Sequence, residues 1–417
     1  MGIIVQKFGG TSVVTREARR RVADHVASAV NSGKQCVVVV SAMGRAGDPY
    51  ATDTLINLAR QVYEDTSPRE MDLLISCGEI ISSVIVANTL KSHGIDSMVL
   101  SGGQAGIITD SNFGNAQIIR VEPDHLLRHL SEGKVVVVAG FQGVTESGDI
   151  TTLGRGGSDT TAAALGVALG AEVVEIYTDV DGVKTADPRL VPDARTIDSM
   201  SYEEICQMAH EGARVIHPRA VEIAMRRNVP LRIKCTFKES PGTLITYSFE
   251  AGRPWPSVRN GRPVTAVTHI PNLARVKLLA SGIPQELEFE LFKSLADVGI
   301  SVDMINVSPE AIAFVVSESV ADRAERTIRA LGLEVSICKG CAKVSIVGSG
   351  MRGLPGVMAR LLQAMKEAGI RVLQTADSHV TISCLVKIEN LEGAVRALHS
   401  AFGLDNKSPL AEEKKGE

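Results

Sequence analysis

The stretch VQKFGGTSV, Val5 to Val13, decides how the rest of the chain is read. An apolar run from Ile3 reads as a short strand that ends in Gln6, Lys7 and Phe8. Gly9, Gly10, Thr11 and Ser12 follow, and helical periodicity then runs over 17–31. A strand that turns through glycines into a helix leaves backbone N–H groups beside a positive helix end, and glycine lets an oxyanion come close. Lys7 adds a point charge just before the turn. No G-x-x-x-x-G-K-[ST] occurs in the 417 residues, so this is not a P-loop. Taken alone, the stretch is equally well a strand–helix turn with a solvated lysine.

The surrounding pattern favours an α/β sheet. CVVVV at 36–40, VVVVA at 135–139 and VVEIY at 173–177 are continuous runs typical of strands buried on both faces. Between them the spacing predicts helices over 68–93 and 159–169, then helices over 202–210 and 218–227 and a strand over 231–234. This alternation predicts a mainly parallel sheet covered by helices on both faces, in a domain spanning 1–245. The span 238–263 contains Pro241, Pro254, Pro256 and Pro263. It reads as a final edge hairpin and then a linker, placed at 246–265.

An internal repeat follows. Two units, 266–337 and 338–405, each read as βαββα, and the pairs Gly282/Gly350 and Gly299/Gly369 mark the period. Residues 406–417 are polar and charged and are expected to be disordered. GSGMRG, Gly348 to Gly353, has the form of a dinucleotide fingerprint, with Asp377 further on. That reading fails on context. The unit is too short for the two halves of a dinucleotide fold, its strands look antiparallel, and the sister repeat has ASGIPQ at the same place.

Composition narrows the class. Apolar residues make up 44% and charged residues 22%, an ordinary globular balance, and the net charge of -4 gives no support for nucleic-acid or anionic-membrane partners. No apolar run reaches the ~20 residues of a membrane span. The chain opens on a strand rather than a basic, apolar leader, so the cytoplasm is the expected compartment. Seven cysteines show no framework spacing. Cys338 and Cys341 form a C-x-x-C, but there is no second pair and no thioredoxin-like unit, so they read as small residues in a loop before a strand.

Four further stretches carry candidate chemistry. VSAMG, Val40 to Gly44, ends the second buried strand with Ser41. SCGE, Ser76 to Glu79, places one carboxylate in an apolar helical run. TTLGRGGSDTTAA, Thr151 to Ala163, holds Arg155, Ser158 and Asp159. YTDVDGVKTADPR, Tyr177 to Arg189, gathers Asp179, Asp181, Lys184, Asp187 and Arg189. Most follow the carboxyl ends of buried strands, where open α/β sheets bind ligands. Each has a structural alternative: Glu79 a capped helix carboxylate, Arg155 with Asp159 an ion pair, the acidic loop a solvated turn.

Together with KFGGTSV and GARVIHPRA, these stretches resemble the amino-acid kinase family, and within it the aspartate kinases, over the whole chain to Phe402. The paired βαββα units resemble the ACT regulatory domains of that group, with KVSIVGSGMRGLPGV the best match. The resemblance implies an amino-acid kinase fold and phosphoryl transfer from ATP, with Mg²⁺ bound mainly through ATP, to L-aspartate. The product, 4-phospho-L-aspartate, heads lysine (through diaminopimelate), threonine and methionine synthesis.

The resemblance also implies roles. Lys7 contacts phosphates and Asp159 orients it. Arg155 grips the substrate α-carboxylate, Glu79 the α-ammonium, and Thr52 and Ser158 line the substrate site. Phe8, Gly9, Gly10, Ser41, Tyr177, Thr178, Asp179, Lys184, Pro188 and Arg189 belong to the ATP site, and a second phosphate-contacting lysine falls at Lys234 or Lys238. No protein side chain is assigned to a metal. An amino-acid effector, lysine, threonine or diaminopimelate, is placed at Ser281, Gly282, Ile283, Pro284, Ser301, Val302 and Asp303, and a homodimer or larger homo-oligomer is expected. Two other classes fit parts of the sequence. A kinase of the same fold for another small molecule is disfavoured by Arg155 with Glu79, and a non-catalytic amino-acid sensor by intact Lys7, Arg155 and Asp159.

Overall fold

The computed structural model describes residues 2–213, 215–247, 263–279, 285–351 and 353–405. The predicted effector residues Ser281 to Pro284, most of the 246–265 linker and the 406–417 tail lie outside them. The chain forms two compact units. The first holds Met1–Val183, Thr196–Ala209 and Arg214–Arg253, the second Lys184–Arg195, His210–Ala213 and Pro254–Glu417.

The first unit is built on an eight-stranded sheet. Its order is Ser199–Met200, Thr243–Ile245, Leu231–Cys235, Val173–Thr178, Ile3–Phe8, Gln35–Val40, Val135–Ala139 and Ser97–Leu100. All neighbours run parallel except the Leu231–Cys235 and Thr243–Ile245 hairpin. The β-branched runs take the central places because only a strand covered on both faces can bury them: Val37 to Val40 and Val136 to Val138 are fully buried. The hairpin expected at the edge is present, but the outermost position goes to Ser199–Met200, a pair too short to show a strand pattern.

A second sheet of Ile118–Val121, Ile107–Thr109, Gln142–Val144 and Ile150–Thr152, and the helices Thr52–Val62 and Asp124–Ser131, were not predicted. The long helix is Pro68–Ser92. It starts with Ser67 capping Glu70 N and proline in the first turn. It is the one described helix long and apolar enough to cross a membrane by length and composition, contrary to the expectation of no such run. Half of its apolar window is buried, and Asp72 and Glu79 lie on its buried face, so it is read as a core helix.

The turn after Ile3–Phe8 is held by its neighbours. A Cβ on Gly10 would stand 2.6 Å from Gly44 O and 2.7 Å from Ala42 O, so the 41–44 loop can pack there only against glycine. A Cβ on Gly9 would meet nothing closer than Lys7 Nζ at 3.6 Å. The space beside Gly9 is therefore open to a ligand, whereas the space beside Gly10 is filled by protein.

In the second unit the two βαββα repeats share one antiparallel sheet, ordered Asp303–Val307, Ala311–Ser317, Ala266–Leu279, Val335–Val347, Thr381–Lys387 and Gln374–Asp377. Every pairing is antiparallel, which rules out a dinucleotide βαβ at Gly348 to Gly353. The first repeat packs Leu291, Leu295 and Ile328 on Val276 and Phe314, the second Leu361, Met365 and Leu398 on Val344 and Val386.

Segments from within the span read as the kinase domain complete this unit. Ala186 and Val191 join the second repeat's core, Thr185 O accepts from Val267 N at 2.8 Å, and Thr185 Oγ1 meets His399 Nε2 at 2.9 Å. Buried Lys343 holds Glu211 at 2.9 Å and Asp303 at 2.5 Å. Cys338 and Cys341 lie inside the strand Val335–Val347, not in a loop before it.

Gly10→Ala is expected to destabilise the first unit by about 1–3 kcal/mol, as overpacking of a closed contact does. Urea unfolding of the full chain beside Gly9→Ala measures this; equal stability of the two variants would refute the crowding.

Candidate active site

A cleft of about 730 Å³ opens at the carboxyl ends of the central strands of the first unit. It brings together Lys7, Gly10, Ser41, Thr52, Glu79, Arg155, Ser158 and Asp159, residues separated by up to 152 positions in sequence. A wider groove of about 960 Å³ between Arg16–Asn31 and the end of Pro68–Ser92 has no buried residue in its lining and holds none of the predicted ones.

Lys7 leaves the sheet at the last turn of the central strand, and its Nζ lies 2.7 Å from Asp159 Oδ1, both side chains little exposed. Asp159 sits in the first turn of helix Gly157–Ala168, where a carboxylate is also favoured by the helix dipole. The pair fixes a long flexible cation at one point of the cleft.

Glu79 is buried, and its Oε1 accepts from Ala42 N at 3.0 Å, while Oε2 has no hydrogen-bond partner. Burial pushes its carboxyl up to about 8, only partly offset by the Ala42 N–H. Oε2 is thus an unsatisfied polar atom on the cleft wall, and a cation placed beside it would draw the carboxyl back toward its ionised form. Arg155, by contrast, is exposed on the loop after strand Ile150–Thr152 and makes no hydrogen bond or ion pair among the described residues. Its fork is free for a planar anion.

The loop bearing Arg155 is braced from two sides. Asp72, two helical turns before Glu79, accepts from Thr152 N at 2.8 Å, Thr152 Oγ1 at 2.7 Å and Gly114 N at 2.9 Å. Sequence reading missed Asp72. Its spacing of seven from Glu79, which puts both carboxylates on one face of an otherwise apolar helix, was the available signal. On the other side, Gly156 has φ +71, and a Cβ there would strike His217 at 2.3 Å. His217 Nδ1 accepts from Arg219 N at 3.3 Å, and Arg219 donates to Leu153 O and Ala116 O. GARVIHPRA thus supplies support for the Arg155 loop.

Among the nucleotide residues, Phe8 and Tyr177 stack at 4.6 Å in the core, and Tyr177 Oη donates to Glu175. Only their backbone is left for a ligand. Thr178 donates to Asp179, which pairs with Arg45 at 2.9 Å. Lys184, Pro188 and Arg189 belong to the second unit, with Arg189 paired to Asp187. Lys234 is turned inward, 3.4 Å from Glu175 Oε1 and over the Tyr177 ring. Lys238 is exposed just past the end of Leu231–Cys235. No group of three or more His, Cys, Asp or Glu suited to a metal occurs among the described residues.

Residues 2–235 match the amino acid kinase family and residues 336–400 an ACT domain. Aspartokinase 1 of Bacillus subtilis is 46% identical over 404 residues, 97% of this chain and 100% of its own. Escherichia coli aspartokinase III in complex with aspartate and ADP, in its R-state, superposes with a TM-score of 0.75 at 28% identity, covering 96% of this chain and 99% of that one. The same enzyme in its T-state, in complex with lysine and aspartate, gives 0.74 at 27%, with the same coverage. The chain belongs to the amino acid kinase family, and within it to the aspartokinases.

Glu79 also ties stability to pH. The folded chain keeps its proton up to about pH 8, whereas the unfolded chain loses it near the ordinary value of 4.5. Folding therefore takes up a proton across that window, and stability falls as pH rises through it. Between pH 6 and 8 wild type is expected to lose about 2 kcal/mol more than Glu79→Gln. Denaturant titration at both pH values checks this; parallel losses would refute it.

Proposed function

We infer that this chain transfers the γ-phosphoryl group of ATP to the side-chain carboxylate of L-aspartate. The observation that carries the reading is one cleft holding a fixed cation, Lys7, a free fork, Arg155, and an unsatisfied buried carboxylate, Glu79. The last two match the two charged ends of a free amino acid, and the first matches a phosphate. The aspartate and ADP bound by the Escherichia coli relative support the same assignment.

The chemistry requires little from the protein beyond placement. The attacking carboxylate has a reference pKa of about 3.9 and is already ionised, so no general base is needed. Its oxygen attacks the γ-phosphorus in line, the bond to the bridging oxygen breaks, and ADP leaves with that oxygen. The obstacle is repulsion between an anion and a polyanion, which positive charge near the moving oxygens relieves. Lys7 supplies that charge and Asp159 aims it. The open space beside Gly9, which a Cβ would fill, fits a phosphate. Arg155 holds the α-carboxylate, Glu79 the α-ammonium, and Thr52 and Ser158 close the site. Mg²⁺, held mainly through the ATP phosphates, would supply further positive charge there.

The second phosphate-contacting lysine is assigned to Lys238, because Lys234 is already engaged by Glu175 and Tyr177. In the regulatory unit an amino-acid effector is placed at Ser301, Val302 and Asp303. Its ammonium would compete with Lys343 for the Asp303 carboxylate. The reading carries with it cytoplasmic residence, a homo-oligomer and a role at the head of the lysine, threonine and methionine routes.

Trapping the product with hydroxylamine as aspartyl hydroxamate tests the activity. Lys7→Ala is expected to lower turnover by about 10²-fold or more with the fold intact, as loss of a transition-state charge does; near-normal turnover would defeat the assignment. Lys238→Ala is expected to raise the KM for ATP well beyond any change in Lys234→Met, and the reverse order would transfer the role to Lys234.

A further inference from the structure

Cys338 and Cys341 have a geometry that their spacing does not suggest. In a regular strand, residues three apart face opposite sides of the sheet. Here Leu273 pairs with Cys341 and Arg275 with Cys338, so two steps on one strand meet three on the other. That is a β-bulge, and Gly340, at φ +67, supplies the left-handed residue within it. The extra residue brings the two sulfurs together at 3.9 Å. Cys341 Sγ also lies 3.2 Å from Cys338 O. The remaining cysteines, Cys36, Cys77, Cys206, Cys235 and Cys384, show no sulfur–sulfur contact among the described residues.

The two thiols differ in access. Cys341 is fully buried with Leu273, Met304, Val315 and Leu385, whereas Cys338 is only half-buried. Lys387, paired across the sheet with Cys341, places its ammonium by the Cys338 thiol and by Lys339 O at 3.2 Å. Thiols in reach of each other can exchange with a disulfide in two successive steps. The arrangement is thus an accessible thiol beside a lysine, with a buried partner thiol in reach.

We propose that Cys338 and Cys341 form a redox dithiol that exchanges with low-molecular-weight disulfides. Cys338 thiolate attacks one sulfur of RSSR, the S–S bond breaks, and one RS⁻ leaves and takes up a proton. Cys341 then gives up its proton, attacks Cys338 Sγ and displaces the second thiol. Two protein thiols and RSSR become one intramolecular disulfide and two RSH, so the dithiol is oxidised by two electrons and the reagent reduced by two. Closure staples the bulge at the centre of the sheet that the two repeats share.

The test uses the full chain in a Cys77→Ser background, which removes the exposed thiol. After oxidised glutathione at neutral pH, remaining thiols are alkylated under denaturing conditions and peptides are weighed. The peptide spanning 338–341 is expected to be lighter by two hydrogens and unalkylated, and to return to the dithiol with dithiothreitol. In Cys341→Ser the reaction should stop at a stable glutathione adduct on Cys338, and in Cys338→Ser neither product should form. Both thiols remaining alkylatable in the parent, or Cys341 reacting equally well in Cys338→Ser, would overturn the proposal.

Discussion

A lysine and an aspartate 2.7 Å apart, at the end of the central strand of a parallel sheet, set the terms for the first unit. The reaction must bring one anion up to another, and a cation on a flexible stem is useful only if its position is fixed. Asp159 fixes it without neutralising the cleft, because Arg155 on the same loop system is left unpaired. The sheet places Lys7, the long helix places Glu79, and the small second sheet with Asp72 places the Arg155 loop. Three separate elements thus converge on one cleft.

This convergence has a cost in stability. Glu79 Oε2 is buried with no partner, and Arg155 is held in a loop with two glycines at positive φ, Gly154 and Gly156. A chain selected for stability alone would place glutamine or an apolar residue at position 79. Keeping a carboxylate there is intelligible if a substrate ammonium supplies the missing partner, which is the differential between empty and loaded site that specificity requires.

How much could be read in advance followed from the kind of signal each element carried. The runs at 36–40 and 135–139 announced central strands because burial on both faces leaves an unbroken apolar stretch. Each repeat ends in a helix, Ala321–Ala330 and Leu391–Ala401, as the βαββα order read from the sequence requires. The second sheet was invisible, since its strands of three and four residues are too short for any period. Ala266–Leu279 and Val335–Val347 run to 14 and 13 residues because pairing with each other, not side-chain pattern, extends them. In the site, Lys7, Glu79, Arg155 and Asp159 stood out as charges in apolar or glycine-rich company. Asp72 did not, because its partners are backbone N–H groups and a threonine that no sequence distance links to it. Cys338 and Cys341 were misplaced for the same reason: a bulge depends on the opposing strand.

The division into two units has a topological consequence. With segments at Lys184–Arg195, His210–Ala213 and Pro254–Glu417 in the second unit, the polypeptide passes between the units five times rather than once. The proline-rich linker is therefore only one of five covalent strands joining them. A fragment holding the repeats alone would lack Thr185, Val191 and Glu211, leaving Lys343 without one of its two carboxylates and the second repeat's core open. Regulation in such a chain need not be carried by a hinge. The crossing peptides lead into the strand at Val173–Thr178 and the helices Tyr202–His210 and Pro218–Arg226, so the two units are spliced into one thread.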